Sequence, residues 1–344
     1  MDLTDPSDRK HLLLRLRALR AQCAASNRFI YTYFATRSNP RAPKFPTKFF
    51  ATEMHKFFSS PTKVARVFKD PTFLFLQDQP SLSQETINAL GTITTLILVK
   101  NYTPHGLDFA QLTALQKLVM LDGDMTDALR TAIQNLAKGP RKLQYLNIPH
   151  WGTPILAADA FSCTSSKPGS LAHVTMNDIT EIANGVLYQF AAFAYNPITS
   201  VSFPSLTRIG EQTFRDTPLR SAYFPAVVTI EGTAFPHCQM LTSAIFPMAK
   251  SIGSSAFHNC QSLKTTSFPL VTKINTHAFF NCLSLNSVSF PEATYIGNTA
   301  FIHCRTLTSI YIPKMTAANL AANAFQYCPS TLVISPPVPG YTFP

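Results

Sequence analysis

The chain has 344 residues, 46% of them apolar, enough to bury a substantial core and too many for low-hydropathy disorder. Its formal charge of +11 is concentrated: residues 1–70 carry 14 Lys/Arg against 5 Asp/Glu (+9), and residues 71–344 carry 15 against 13 (+2). That excludes a body basic over its whole surface and leaves a basic N-terminal segment on a nearly neutral remainder.

The opening MDLTDPSDRK holds three aspartates, and the apolar run after it, HLLLRLRALR, is broken by arginines, so no secretory leader is expected. No run of about 18 apolar residues predicts a membrane span. A cytoplasmic protein with reduced thiols is therefore expected, with the cell surface as the alternative. Thr4-Asp5-Pro6 opens a predicted helix, with Asp5 and Asp8 at its positive end and Arg15, Arg17 and Arg20 further along. Leu12, Leu16, Leu19 and Cys23 share one face of it. PRAPKFP (40–46) reads as a turn or linker, and a second helix is expected between Pro46 and Pro61. Residues 1–89 thus read as a basic, mainly helical N-terminal segment and cap. Phe29, Tyr31, Tyr33 and Phe34 interleave with its charges. The segment is read as a solvated cap, as a contact for an anionic membrane or RNA through Arg15, Arg17 and Arg20, or as a protein-docking helix.

From about residue 90 the pattern changes. INALGTITTLILV predicts a short helix and then a strand, and LTALQKLVML (112–121) reads as a further leucine-rich strand. Looser copies follow at 143–163, with Ile148-Pro149, Ala160-Phe161 and Cys163, and at 171–187, without proline or cysteine.

Beyond residue 198 the self-similarity is strict. Phe203-Pro204, Phe224-Pro225, Phe246-Pro247, Phe268-Pro269 and Phe290-Pro291 recur, continued by Ile312-Pro313, at spacings of 21, 22, 22, 22 and 22 residues. Leu219, Leu241, Leu263, Leu285 and Leu307 keep step. So do Ile209, Ile230, Ile252, Ile274 and Ile296, then Phe214, Phe235, Phe257, Phe279, Phe301 and Phe325, and finally Cys238, Cys260, Cys282, Cys304 and Cys328. In the copy LNSVSFPEATYIGNTAFIHCRT the first part alternates with period two, so Leu285, Val288 and Phe290 are expected inside and Asn286, Ser287 and Ser289 outside. Proline then ends the strand by withholding a donor. The remainder is too short for a long helix and fits a tight return that drops Ile296, Phe301 and Cys304 into the core. Gly210, Gly253 and Gly297 follow the isoleucine, which suggests a turn that prefers glycine. Stacked at ~4.8 Å per rung, such copies build a parallel sheet along one side of a coil.

These columns resemble the BspA-like class of leucine-rich repeats, with its strand-ending proline, I-G, A-F and cysteine. The resemblance implies an α/β solenoid with a parallel sheet on its concave face. It spans residues 90–331, with clear repeats of 21–24 residues at 198–331, degenerate ones at 90–197 and a Pro-rich cap or tail at 332–344. It also implies recognition by the strand side, and members displayed on cell surfaces that bind host or matrix proteins.

The chain lacks a nucleophile elbow, a Walker loop, an H-E-x-x-H and a G-x-G-x-x-G, so neither enzyme activity nor a cofactor is expected. Asp122 and Asp124 lack calcium-loop register. His237-Cys238, His258-Asn259-Cys260 and His303-Cys304 invite a zinc reading, but zinc wants converging ligands and these are strung one per rung. A buried ladder of small apolar side chains is expected instead, with no metal. The outward strand positions, such as Thr242/Ser243/Ile245 and Thr308/Ser309/Tyr311, are rich in hydroxyls and nearly free of acid. Tyr145, Arg220, Tyr223, Lys264 and Tyr311 are the candidate contacts for a protein partner, since tyrosine supplies contact area at low entropy cost. The competing reading is that Ser and Thr serve the ladder itself.

Overall fold

The computed structural model describes residues 73–77, 84–99, 107–120, 125–138, 143–185 and 191–342. The helices expected before residue 62, with Arg15, Arg17 and Arg20, lie outside them. The chain divides into two units, Met1–Asp124 and Met125–Pro344.

In the first unit β1 (Phe73–Gln77), β2 (Thr95–Val99) and β3 (Lys117–Met120) pair in parallel, Phe73 opposite Thr95 and Thr95 opposite Lys117. A short helix α1 (Gln84–Ala89) and a single 3-10 turn at Leu90–Thr92 precede β2. Both steps are 22 residues, so the period is already running at β1, upstream of the residue 90 at which the sequence pattern places the start. The run FLFLQ carries neither proline nor glycine nor the A-F pair, and hence none of the marks that identify later copies.

The second unit opens with α2 (Asp127–Lys138), which buries Leu129, Ile133, Leu136 and Ala137. Thr126 Oγ1 caps it by accepting from the Leu129 backbone N–H at 3.2 Å. Asp127 and Lys138 stand at the ends that the helix dipole favours. Every rung after that contributes a three-residue strand on one side and nearly always a two-residue strand on the return. The front strands are β4 (Tyr145–Asn147), β6 (His173–Thr175), β8 (Ser200–Ser202), β10 (Ser221–Tyr223), β12 (Ser243–Ile245), β14 (Thr265–Ser267), β16 (Ser287–Ser289), β18 (Ser309–Tyr311) and β19 (Val333–Ser335). All their pairings are parallel, and β19 stacks on β18 although it lies in the Pro-rich tail.

The return forms a second parallel ladder of seven strands, from β5 (Ile155–Leu156) through β7 (Glu181–Ile182), β9 (Arg208–Ile209), β11 (Thr229–Ile230), β13 (Ser251–Ile252) and β15 (Lys273–Ile274) to β17 (Tyr295–Ile296). The sequence pattern shows one sheet. Two-residue strands are too short for alternation to reveal a second.

The expected burial holds throughout the strict repeats. Leu285, Phe290, Ile296, Phe301 and Cys304 are fully buried and Val288 nearly so, while Asn286, Ser287 and Ser289 are exposed. The two phenylalanine columns form a herringbone. Within the turn column, Phe235–Phe257 and Phe257–Phe279 stack at 5.2 and 5.3 Å with rings 3° and 6° from parallel. Within the strand-end column, Phe246–Phe268 stack at 5.5 Å. Between columns, Phe257–Phe268 and Phe268–Phe279 meet edge to face at 5.9 and 6.1 Å, both at angles the ring quadrupole favours.

The glycines serve a different purpose from the expected turn. The left-handed conformations belong to other residues, two per rung: Gln212, Thr233, Ser255, His277 and Thr299 before the A-F pair, and Asp216, His237, Asn259, Asn281, His303 and Tyr327 before the cysteine position. Gly253 is required by close approach. A Cβ there would lie 2.4 Å from the Glu231 carbonyl carbon and the Gly232 nitrogen of the rung below, and at Gly210 one would lie 2.4 Å from the Ala183 oxygen. Glycine therefore alternates with a side-chain-bearing residue up this column: Ala183, Gly210, Glu231, Gly253, Asn275, Gly297.

Two substitutions test this core. Phe268→Ala removes a ring held on four sides and is expected to cost about 3–5 kcal/mol. Gly253→Ala is expected to cost about 1–3 kcal/mol by pushing two backbones apart. Both are read from urea denaturation of the full chain, and an unchanged midpoint for either would place that residue outside the packed array.

Candidate functional site

On the front strands the candidate contacts fall into separate columns. Tyr223 and Tyr311 occupy the third strand position, 57% and 45% exposed. Register links Tyr223 to Ile245 and Ser267, and Ser289 to Tyr311, so the two tyrosines are four rungs apart, ~19 Å. Arg220 and Lys264 immediately precede β10 and β14, exposed and two rungs apart (~10 Å), and neither forms an ion pair among the described residues. Tyr145 opens β4, half-buried, with its ring 5.7 Å from that of His173 on the neighbouring strand. The five candidates thus share one face without forming one cluster.

The hydroxyls divide by place. The threonines just before three of the front strands are engaged by the ladder: Thr199, Thr242 and Thr308 donate to the carbonyls of Ala172, Arg220 and Asn286 one rung below, at 3.3, 2.9 and 3.2 Å. On the return, Thr207, Thr272 and Thr294 do the same to Thr180, Lys250 and Thr272. Each caps a carbonyl, so these threonines hold the face together instead of offering donors to a partner. The exposed strand positions are mostly serine and tyrosine, with Thr265 among them. Ion pairs gather on the return, where Arg208 bridges Glu181 at 2.6 Å and Glu231 at 2.8 Å.

The cysteine column is buried, as expected, but it is also a column of hydrogen-bond donors. The thiols of Cys260, Cys282, Cys304 and Cys328 each donate to the carbonyl of a turn phenylalanine one rung below, Phe235, Phe257, Phe279 and Phe301, at 3.1–3.3 Å. At the cysteine position of the rung that carries Phe193, Asn196 supplies the donor, its Nδ2 reaching the Phe161 oxygen at 2.9 Å, while Thr217 turns its hydroxyl to the Phe214 oxygen of its own rung, which also accepts from Cys238. The asparagine in place of a cysteine was the readable sign that the column needs a donor. Burial pushes the thiols of Cys260, Cys282 and Cys304 far up and that of Cys328 to about 12. Among the described residues no three His, Cys, Asp or Glu side chains are placed to hold a metal ion, and no helix is long and apolar enough to cross a membrane.

Residues 186–292 and 250–338 match the model of the BspA type leucine rich repeat region, in six copies. Residues 186–338 form a BspA-type leucine-rich repeat region. A search of curated proteins found no match. Similar solved structures include a leucine rich cell surface protein from Faecalibacterium prausnitzii, 18% identical, covering 76% of this chain and 82% of that one at a TM-score of 0.33. A leucine-rich repeat protein from Bacteroides ovatus is 16% identical over 77% and 87% at 0.39, and an internalin from Listeria monocytogenes 13% identical over 80% and 88% at 0.32. At those scores they carry no argument about this repeat protein's partner.

The donor column is testable by substitution. Cys260→Ala leaves the Phe235 carbonyl buried without a donor and is expected to cost about 1–3 kcal/mol, with Cys260→Ser recovering part of that loss. Raised thiol pKa values keep the row protonated, so a thiol reagent at about pH 8 should modify Cys260 and Cys282 only on unfolding. Rapid labelling of the native chain would mean that the row is open.

Proposed function

We propose that this repeat protein is a non-enzymatic scaffold that binds a protein partner along the strand face. The observation that carries this reading is the composition of that face. The outward positions of the described front strands hold no carboxylate, Thr199, Thr242 and Thr308 just before them are engaged by the ladder, and Tyr223 and Tyr311 project from serine-rich surroundings. Serine is cheap to desolvate beside an incoming backbone, and tyrosine contributes area with little rotamer freedom to lose. A partner meeting both tyrosines must run across at least four rungs, which suits a protein surface or extended segment better than a small molecule.

The compartment is a separate matter. The expected cytoplasmic location carries reduced thiols with it, and Cys163, Cys238, Cys260, Cys282 and Cys304 are free and buried. Burial protects a thiol in an oxidising compartment as well, so the cysteines assign none. The BspA-type match supports the cell-surface alternative, an adhesin using the same face, and protease treatment of intact source cells separates the two.

The binding reading is tested with the full chain immobilised, comparing the wild type with Tyr223→Ala/Tyr311→Ala and with Ser267→Arg. Loss of a tyrosine anchor should weaken a retained partner by about 30-fold, equivalent to about 2 kcal/mol, with the melting temperature unchanged. Partners retained equally by all three proteins would place recognition on another face.

A further inference from the structure

Four of the histidines lie together on the return side of consecutive rungs, in and beside the second left-handed column. His258 stacks on Phe280 at 4.5 Å with rings 6° from parallel, and His303 stacks on Tyr327 at 4.7 Å. His237 meets His258 at 5.4 Å, and His277 and His303 each turn an edge to Phe280 at 5.7 Å. All four imidazoles are half-buried, and Tyr327 is 61% exposed.

A chain of side-chain hydrogen bonds runs along the same column. Asn281 Nδ2 donates to Asn259 Oδ1 at 2.7 Å, and Asn259 Nδ2 lies 3.3 Å from His237 Nδ1. An amide nitrogen only donates, so His237 Nδ1 must accept, which makes that imidazole neutral with its proton on Nε2. The column continues to His303, whose Nδ1 is buried without a hydrogen-bond partner. The chain has one other self-consistent direction. If His237 carries a proton on Nδ1, Asn259 must turn its oxygen towards it, its nitrogen then faces Asn281, and Asn281 must turn as well. That reversal requires both bonds of the row to break and both amides to turn.

The surroundings do not absorb the added charge. Arg215, on the rung before His237, holds Asp216 at 3.2 Å and donates to Tyr195 Oη at 3.1 Å. Between residues 212 and 327 the other carboxylates are Glu231 and Glu292, paired with Arg208 and Lys314. Arg305 follows His303 by two residues and has the same sign as an imidazolium. Inside the row lie the buried cysteines, with burial pushing the thiols of Cys260, Cys282 and Cys304 far up, and beyond it the exposed ring of Tyr327. Protonation therefore brings imidazolium onto imidazolium in a row whose carboxylates are already engaged.

We propose that the row His237–Asn259–Asn281–His303, with His258, His277 and Phe280 packed beside it, is a pH-sensitive latch that holds the return side of these rungs closed when neutral and loosens it in mild acid. The direction agrees with burial, which pushes His258 below its usual range, helped by His237, His277 and Arg215. A histidine depressed in the folded state binds fewer protons there than when unfolded. Its contribution to stability is full above the ordinary value near 6.5 and declines as the pH falls below it.

The test is thermal unfolding of the full chain at about pH 7.5 and about pH 5, for the wild type and for His237→Gln/His258→Gln/His277→Gln/His303→Gln. The wild type should melt about 3–6 °C lower at the acid pH, and the variant should lose most of that difference while the other histidines still titrate. A wild type that melts alike at both values, or a variant with the same drop, overturns the proposal. Should four substitutions prevent folding, His237→Gln alone with imidazole nitrogen NMR of the wild type decides. A neutral Nε2–H tautomer at His237, converting with acid, supports the latch, and an Nδ1–H tautomer at about pH 7.5 overturns it.

Discussion

A side chain inside this array meets, one rung up and one rung down, a copy of itself. Translation at ~4.8 Å, imposed by parallel pairing on both sides of the coil, leaves little room for anything that does not stack on its own image. Phenylalanine does so by sliding into offset parallel contact, as the near-parallel rings at 5.0–5.4 Å along the turn column from Phe214 to Phe325 show. Two such columns side by side then lock each other by edge-to-face contact, which fixes the rotation of each ring as well as its height. Cysteine satisfies the rule differently, by donating to a carbonyl of the rung below while its own rung presents the same carbonyl to the cysteine above.

The same rule explains what alternates. A Cβ in every rung of the column from Ala183 to Gly297 would not fit, so glycine occupies every second place, and the larger residue below it uses the space. Charge cannot repeat vertically either. On the return, Glu181 and Arg208 face each other in register, with Glu231 completing the bridge, so that like signs are kept apart. The histidine row departs from this pattern, since rings of His237, His258, His277 and His303 recur there at close quarters around Phe280.

Much of this was legible in the residues because repetition multiplies a weak signal. One Phe-Pro pair predicts little, whereas five at near-constant spacing give the strand, its inward face and its end. What escaped was local in a way the period conceals. The run at Phe73–Gln77 shares the 22-residue step but none of the marker residues. The return ladder is built from pairs too short to alternate. The glycines suggested positive φ, while the left-handed positions went to Asn, His, Thr and Gln, because the constraint on glycine comes from the neighbouring rung and not from its own dihedral angle. The candidate site was legible as a face and not as a cluster. Sequence order shows that Arg220, Tyr223, Lys264 and Tyr311 point the same way; the register shows them spread over five rungs.

That spread bears on how such a surface recognises anything. A pocket concentrates contacts within a few residues, whereas a ladder distributes them at a fixed spacing, and affinity then depends on a partner that matches several rungs at once. The front supplies little charge with which to steer an encounter, so specificity there must come from shape and from where the two tyrosines fall. Because each rung contacts only its neighbours, loosening at the histidine row would propagate through the rungs that carry Tyr223 and Tyr311 before it reached the distant ones. The two sides of the coil are joined through the phenylalanine herringbone, which gives a change in proton occupancy on the return a route to the front.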